Sequence, residues 1–594
     1  MVSLAIGPKG RETVLGPTSE TSGGMSTDLR DVAIIGSGFA GSLIASSLAE
    51  AGMDVVLIEA GLPVEDERHV RQGRRETFAN SDEAEIFAPY ADLLPPQDRE
   101  HKSEYFIQGA TGPDRFEGQY LRLAGGTGLA WLGTALRMCP NDFRMRTTYG
   151  RGQDWPISYA DLEPWYCMAE EAIGVAGSPE ADLSLNSSRS KPFPMPAIPQ
   201  SYTDQYAIAR IKGLQFASKE IRIVPTPQAR NSIDGYNGRP LCEGYSSCVP
   251  LCPVGAKYDP LVHLRRALLR GAELLAGAVV SKLDSSNDGR ITTAWFVDSD
   301  GSTGSLQARI FVLAANGIET PKLLMQSNHQ HAAGLANESG LVGCNLMDHA
   351  EKHSWAVVPD PIFAYRGPQS TSGIEILRDG PFRRDRAAFR TALRNDGWRN
   401  VNGAPYGDGA LSSAAVGGTL IGLIDQQGLI GEHLFNAVHS IGLRQFALQS
   451  VIEMLPDPSN LITLSSEKDR LGLPRPEIHF RLDKYSRDGI AAAARLHREI
   501  FRALRCKQTA FAIHMQDDRT ASDAGGSHIM GTTVMGNHPK TSVVDANCMA
   551  HSHKNLFVAG SAVFPTGAAA NPTLTVCALS LRLAEYLKNT MHTR

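Results

Sequence analysis

The segment from Leu241 to Tyr258 reads LCEGYSSCVPLCPVGAKY and sets Cys242, Cys248 and Cys252 at C-x5-C-x3-C spacing. Thiolates are the preferred ligands of iron–sulfur clusters. Gly244, Pro250 and Pro253 bend the stretch, and nothing in it has the pattern of core. No fourth cysteine stands nearby, so a cluster here has ligands for three irons rather than four. The competing reading is three structural thiols in a loop. A second place for chemistry is His528, in Gly525-Gly-Ser-His-Ile-Met-Gly-Thr532. The flanking glycines predict an exposed turn, where a surface or satisfied histidine is the bland alternative. Asn571, directly before Pro572 at a predicted helix start, is the third. Oxidising an alcohol needs a base for the O–H proton while the C–H hydrogen leaves with its electron pair. Histidine titrates near neutrality and suits that task. Asparagine can hold the same oxygen in register without titrating.

A dinucleotide fingerprint opens the chain. Asp31 to Ile35 is a short apolar run, followed by Gly36-Ser-Gly38-Phe-Ala-Gly41, a helical stretch SLIASSLAEAG and a second apolar run ending at Glu59. Gly36 permits the tight turn, Gly38 lets backbone approach a pyrophosphate, and Gly41 lets helix pack on strand. The helix start offers free N–H groups and partial positive charge to phosphates. Glu59, about 20 residues on, suits a ribose 2′-hydroxyl and repels a 2′-phosphate. A second glycine turn, Ala124-Gly125-Gly126-Thr127-Gly128, is either a plain loop or one pressed against a flat cofactor. The helix beginning near Pro572 directs its positive end at whatever precedes it, which favours negative charge on a reduced flavin.

These pieces need elements to position them. Ser158 with Asp161 predicts a capped helix start before YADLEPWYCMAEEAIG. Ile310 to Asn316 reads as a strand, with a turn and helix after it. Residues 462–482 read as a hairpin, Ile490 to Leu504 as an amphipathic helix, and Asn555 to Gly560 as an apolar strand with glycine. A last helix runs from Asn571 to about Lys588. Residues 355–450 mix strand-like and loop-like stretches and suit the body of a substrate domain.

At 594 residues the chain exceeds one ordinary domain, so two interleaved domains are expected. An apolar fraction of 42% supports large cores. Net charge is −5 with no long basic run, so nucleic-acid binding has no electrostatic footprint. The clusters RQGRRE (71–76) and RRDR (383–386) read as solvated faces. No apolar stretch is long enough for a membrane span. Residues 1–28 read as a disordered arm; Val2 to Ile6 is too short for a secretion-signal core, and Met25 is an alternative start. Nine cysteines do not make a disulfide scaffold. Cys139, Cys167, Cys344, Cys506, Cys548 and Cys577 are scattered and read as small buried apolar residues. His349 and His353, spaced i, i+4, read as non-metal, and His551 and His553 as non-catalytic.

The order of these pieces, together with PNDF (140–143), PTPQARNS (225–232), CPVGA (252–256), AANGIETPKLL (314–324), MDH (347–349), SVVD (542–545) and NPTLT (571–575), resembles the glucose–methanol–choline (GMC) oxidoreductases. The resemblance runs from about residue 30 to the end and is closest to the large subunits of bacterial gluconate, fructose and glucose dehydrogenases. It implies an α/β + β fold, in which a Rossmann-like FAD-binding domain is interleaved with a substrate-binding domain on an antiparallel sheet. The expected FAD-binding parts are 29–155, 240–350 (with the cluster loop 241–258) and 540–594; the substrate-binding parts are 156–239 and 351–539. It further implies FAD-dependent, NAD-independent oxidation of an alcohol carbon of a sugar, glycoside or polyol. His528 takes the catalytic-histidine position and Asn571 the second active-site position. Gly36, Gly38, Gly41, Glu59, Gly125, Gly126, Thr127, Gly560 and Thr573 are the expected cofactor-binding residues. In the dehydrogenase branch, the loop matching Cys242, Cys248 and Cys252 carries a 3Fe-4S cluster that relays electrons to a cytochrome c-type haem subunit. A small signal-bearing partner subunit would carry the chain to the periplasm; a cytoplasmic enzyme is the alternative. Two departures stand out. Ala130 occupies the place where some relatives have a histidine, so the FAD is expected to be non-covalent. Leu241-Cys242 stands where close relatives often have paired cysteines. The rival reading is a soluble oxidase of a glycoside or secondary-metabolite alcohol that uses oxygen.

Overall fold

Runs of Val, Ile and Leu without alternating polar residues belong to strands covered on both faces. Such runs build the first sheet of the computed structural model, which describes residues 29–63, 105–109, 114–116, 118–183, 185–245, 248–249, 252–298, 300–364, 366–395, 424, 428–506 and 526–592. The expected arm at 1–28 and the cluster at 71–76 lie outside the described residues. Strand Arg30–Ile35 pairs in parallel with Val55–Glu59 on one side and with the C-terminal half of Thr303–Leu313 on the other. Val55–Glu59 carries Glu273–Ala276 at the sheet edge, and Leu556–Val558 also joins Thr303–Leu313 in parallel. The N-terminal half of that 11-residue strand turns antiparallel to Ile291–Val297, which pairs with Val279–Ser285. Helices Phe39–Glu50, Leu261–Leu269 and Thr573–His592 pack together and bury their apolar faces in the core of this sheet.

The second sheet is smaller and five-stranded, in the order Ala350–Val357, Gln445–Ile452, Phe389–Arg394, Ser372–Ile374, Val224–Pro225. All of its pairings are antiparallel. One face is apolar: Ala350, Ala356, Phe389, Leu393, Phe446, Leu448 and Ile452 pack with Ile490, Ala493, Leu496 and Ile500 of helix Lys484–Ala503. Side chains alternate along a strand, so the other face presents Glu351, His353, Arg390 and Gln449. The predicted elements appear with shifted bounds. The hairpin is Leu461–Lys468 with Pro474–His479. The helix after Asn316 runs to Gln326, and Ser158 caps Tyr159–Ile173 through the Asp161 N–H.

In the RRDR cluster at 383–386, Arg384 and Asp385 are exposed as expected of a solvated face, but Arg383 departs from it. Arg383 is fully buried and pairs with Asp142 at 2.8 Å, Asp379 at 3.1 Å and Glu453 at 2.5 Å. A guanidinium surrounded by three carboxylates can be buried where a lone charge cannot. Of the scattered cysteines, Cys344 and Cys506 are only half-buried, and Cys167 accepts from Arg137 at 3.2 Å rather than sitting in apolar surroundings.

Candidate active site

The first glycine turn is built as its sequence implies. Gly36 has φ +99°, and a Cβ there would lie 2.6 Å from the Ala314 carbonyl oxygen. A Cβ on Gly41 would meet the Gly36 carbonyl oxygen at 1.9 Å, so the helix closes on the strand only with glycine there. Gly38, the residue before helix Phe39–Glu50, has open space where its Cβ would stand. The second turn comes up against it: Gly126, at φ +57°, would place a Cβ 3.5 Å from Gly38 Cα. Ser37 links the two turns, because its hydroxyl accepts from Gly125 N–H at 3.0 Å and donates to Glu59 at 2.7 Å. Glu59 also accepts from the N–H groups of Ser37 and Gly61, both at 2.8 Å. Burial raises its pKa against those three donors. Thr127 accepts from Leu121 N–H at 3.0 Å and fixes the entry to its turn. Gly560, at φ +102°, has open space beside it, and Thr573 begins the 20-residue C-terminal helix. Glycines with room left open, facing a helix N-terminus, form the cradle a dinucleotide requires.

His528 and Asn571 come together across 43 residues of chain, with Asn571 Nδ2 3.1 Å from His528 Nε2. The turn carrying His528 is not exposed as its glycines suggested. Asp348 clamps it by accepting from the N–H groups of His528 at 2.7 Å and Ser527 at 3.2 Å. Met347 and Met530 exchange backbone hydrogen bonds at 3.0 and 2.9 Å, which fixes the register of the two segments. A second histidine completes the site: His349 Nδ1 lies 2.8 Å from His528 Nδ1, and His349 Nε2 lies 2.9 Å from the Ala568 carbonyl oxygen.

Those two contacts determine the protons. A carbonyl only accepts, so His349 Nε2 carries a hydrogen and, in the neutral ring, Nδ1 is a bare acceptor. His528 therefore donates from Nδ1, which leaves its Nε2 lone pair facing Asn571. Burial lowers the pKa of His349. Burial first, and His349 second, pull His528 down to about 3. Burial pushes Asp348 up to about 7 even though it accepts three backbone N–H groups. The Asn571 side-chain oxygen is buried and has no hydrogen-bond partner. The i, i+4 spacing of His349 and His353 gives no hint of the hold of His349 on His528; the signal for it is the MDH tripeptide, whose aspartate and histidine both turn to the same partner.

The pKa of His528 has a consequence for rate. A base works only when unprotonated, so its contribution rises with pH through its folded-state pKa. With that value near 3, the rate of the substrate-driven half-reaction should not fall between pH 8 and pH 5 through protonation of His528. Stopped-flow pH profiles check this; a tenfold drop per pH unit beginning near 6.5 would refute it.

The polar face of the five-stranded sheet borders this pair. Glu351 and Arg390 both act electrostatically on His528. Arg390 is held by Glu375 at 2.9 Å. Burial opposes the charge of Glu351, but His353 at 2.8 Å and Gln449 hold its pKa below the usual range. His551 and His553 stand apart, against Ser542 and Ser552.

Cys248 and Cys252 are buried, Cys242 is half-buried, and none forms a disulfide. The thiols interact with one another: Cys242 is pushed up by burial first, with Cys248 and Cys252 adding to the shift. No cluster of three His, Cys, Asp or Glu among the described residues converges on a single metal ion. A three-iron cluster makes a different demand, since each thiolate binds its own iron. Arg230, buried beside these thiols and within hydrogen-bonding reach of Cys242, has no oxygen acceptor at Nε or Nη1. A donor set of thiols beside an unpaired buried cation fits an anionic iron–sulfur group.

Family profiles described as GMC oxidoreductase match residues 229–351 and 456–580, and one described as FAD binding domain matches residues 31–94. The chain is 34% identical to the fructose dehydrogenase large subunit of Gluconobacter japonicus, over 94% of this chain and 98% of that one. It is 28% identical to 2-methyl-1,2-propanediol dehydrogenase of Mycolicibacterium austroafricanum, over 95% and 96% of the two chains. Among solved structures, pyridoxine 4-oxidase from Mesorbium loti superposes with a TM-score of 0.61 at 20% identity, covering 94% of this chain and 99% of that one. That likeness concerns the fold.

Proposed function

The chain belongs to the GMC oxidoreductase family, and on that premise we propose a dehydrogenase that oxidises a primary or secondary alcohol of a sugar, glycoside or polyol to the carbonyl and passes the electrons to a one-electron acceptor. The observation that carries the reading is the His528 Nε2 lone pair, fixed by His349 and set 3.1 Å from the Asn571 amide. A substrate hydroxyl donates its proton to His528 Nε2, while its oxygen accepts from Asn571 Nδ2. FAD, held by Gly36, Gly38, Gly41, Gly125, Gly126, Thr127, Glu59, Gly560 and Thr573, supplies the acceptor for the hydride. The balance is one alcohol giving one carbonyl, two electrons and two protons. A wall of Glu351, His353, Arg390 and Gln449 offers donors and acceptors together, as a polyhydroxylated substrate requires.

Cys242, Cys248 and Cys252 hold a 3Fe-4S cluster in this reading, which supplies one-electron transfer toward the surface. Likeness to a protein called a large subunit supports assembly with a further subunit; in this reading the chain joins a small signal-bearing subunit and a cytochrome c-type acceptor and is exported with them to the periplasm. Among the described residues no helix is long and apolar enough to cross a membrane.

A screen of sugars, glycosides and polyols with a dye acceptor beside an oxygen electrode tests the function. We expect dye reduction by one substrate class, iron in the purified enzyme and flavin released by acid precipitation. Absence of iron together with rapid peroxide formation would replace the dehydrogenase with an oxidase. Flavin left in the denatured pellet would contradict non-covalent binding.

A further inference from the structure

We propose that Arg230 is the fixed cation of the cysteine loop, whose charge holds the cluster and raises its reduction potential; this rests on the reading that Cys242, Cys248 and Cys252 bind one. The backbone ties Arg230 to the segments that carry Cys242 and Cys252. It forms an antiparallel bridge with Lys257, on the strand-like segment after Cys252. Its neighbour Asn231 accepts from Cys242 N–H at 2.9 Å and donates to the Ala256 carbonyl at 3.1 Å. The Arg230 side chain is 1% exposed.

Only one edge of the guanidinium meets oxygen acceptors. Nη2 donates to the Leu132 carbonyl at 2.8 Å and to Gln228 Oε1 at 3.1 Å, while Nε and Nη1 have no oxygen acceptor and Cys242 lies within hydrogen-bonding reach of the guanidinium. Among the described residues no carboxylate forms an ion pair with it; the groups beside it that could carry negative charge are Cys248, Cys242 and Cys252. Arg378 and Arg383, as fully buried, each lie against carboxylates, whereas the less deeply buried Arg239 donates to the Ala256 and Ile173 carbonyls and forms no ion pair among the described residues. Burying a cation without an anion is costly. Neutral thiols do not offset that cost. Three thiolates with their inorganic sulfides do.

The position also lies toward the flavin cradle. Gly133, at φ +95°, would place a Cβ 3.6 Å from Arg230 Nη2 and 3.5 Å from Lys257 Cγ, so the second glycine loop packs on both cations. Lys257 Nζ donates to the carbonyls of Leu129 at 3.2 Å and Trp131 at 2.5 Å on that loop, and of Cys248 at 2.8 Å on the other. Each electron held on a cluster adds one negative charge. A fixed cation beside it stabilises the reduced state more than the oxidised one, and hydrogen bonds to the sulfurs act in the same direction.

Redox titration followed by EPR, on full-length enzyme purified without air, tests this with wild type, Arg230→Gln and Arg230→Lys, alongside iron and flavin analysis. Arg230→Gln should favour the oxidised cluster by tenfold or more at fixed potential, a midpoint lowered by about 59 mV or more for a one-electron couple. Arg230→Lys, which keeps the charge, should shift less. Loss of the cluster from Arg230→Gln with retention in Arg230→Lys would support the same role. An unchanged midpoint in an iron-replete Arg230→Gln enzyme would overturn it while leaving the cluster in place. Loss from both variants with flavin intact would overturn it in favour of packing. A wild-type enzyme without iron would remove the cluster reading itself.

Discussion

His528→Ala should slow substrate-driven flavin reduction by about 10²–10⁴-fold, the usual range for a positioned acid–base group, and leave the flavin bound. The reason is separation of tasks. The proposed cofactor cradle uses the two glycine turns, Glu59 and the C-terminal helix, whereas His528 stands on a separate turn clamped by Asp348. Its Nε2 is the ring atom left with a lone pair once His349 and the Ala568 carbonyl have fixed the protons. His349→Leu should give a smaller loss in the same step, because it frees the ring to take the wrong tautomer. Asn571→Ala should also cost less than His528→Ala if the amide only holds the oxygen. Anaerobic stopped-flow with flavin-content controls measures all three. A near-normal reductive rate in His528→Ala would remove the proposed base.

Cys248→Ser should bleach the cluster and cut dye- or cytochrome-linked turnover, on the order of 10²-fold or more, since changing groups that only hydrogen-bond to metal ligands already costs about 10–100-fold. Flavin reduction by substrate should persist. Cys248 is 5% exposed and its carbonyl is gripped by Lys257, so the loop keeps an anchor without the thiol. Loss confined to the second half-reaction would separate the electron exit from the chemistry at His528. Unchanged iron and unchanged turnover would return the cysteines to the status of structural thiols.

Much of this molecule is local and therefore legible in the chain. A strand–turn–helix signal needs only neighbouring residues, so Gly36, Gly38 and Gly41 announced their turn, and the capping pair Ser158 and Asp161 announced its helix. The cysteine spacing and the glycines around His528 were likewise visible without any fold. Burial was not. RRDR (383–386) has the composition of a surface, yet Arg383 is buried because Asp142 and Glu453 arrive from 241 residues before it and 70 after it. The exposed turn expected at His528 is covered for the same kind of reason, by Asp348 and His349.

Periodicity and turn chemistry act over a few residues, so the elements, the nucleotide fold and the candidate groups can be read from the chain alone. Their states cannot. The His528 tautomer depends on His349, 179 residues away, and on the Ala568 carbonyl. The edge of Arg230 without oxygen acceptors depends on how the 225–232 segment meets the loop after Cys252. Protonation and charge compensation are set by which groups share a dry volume, and packing of distant segments decides that.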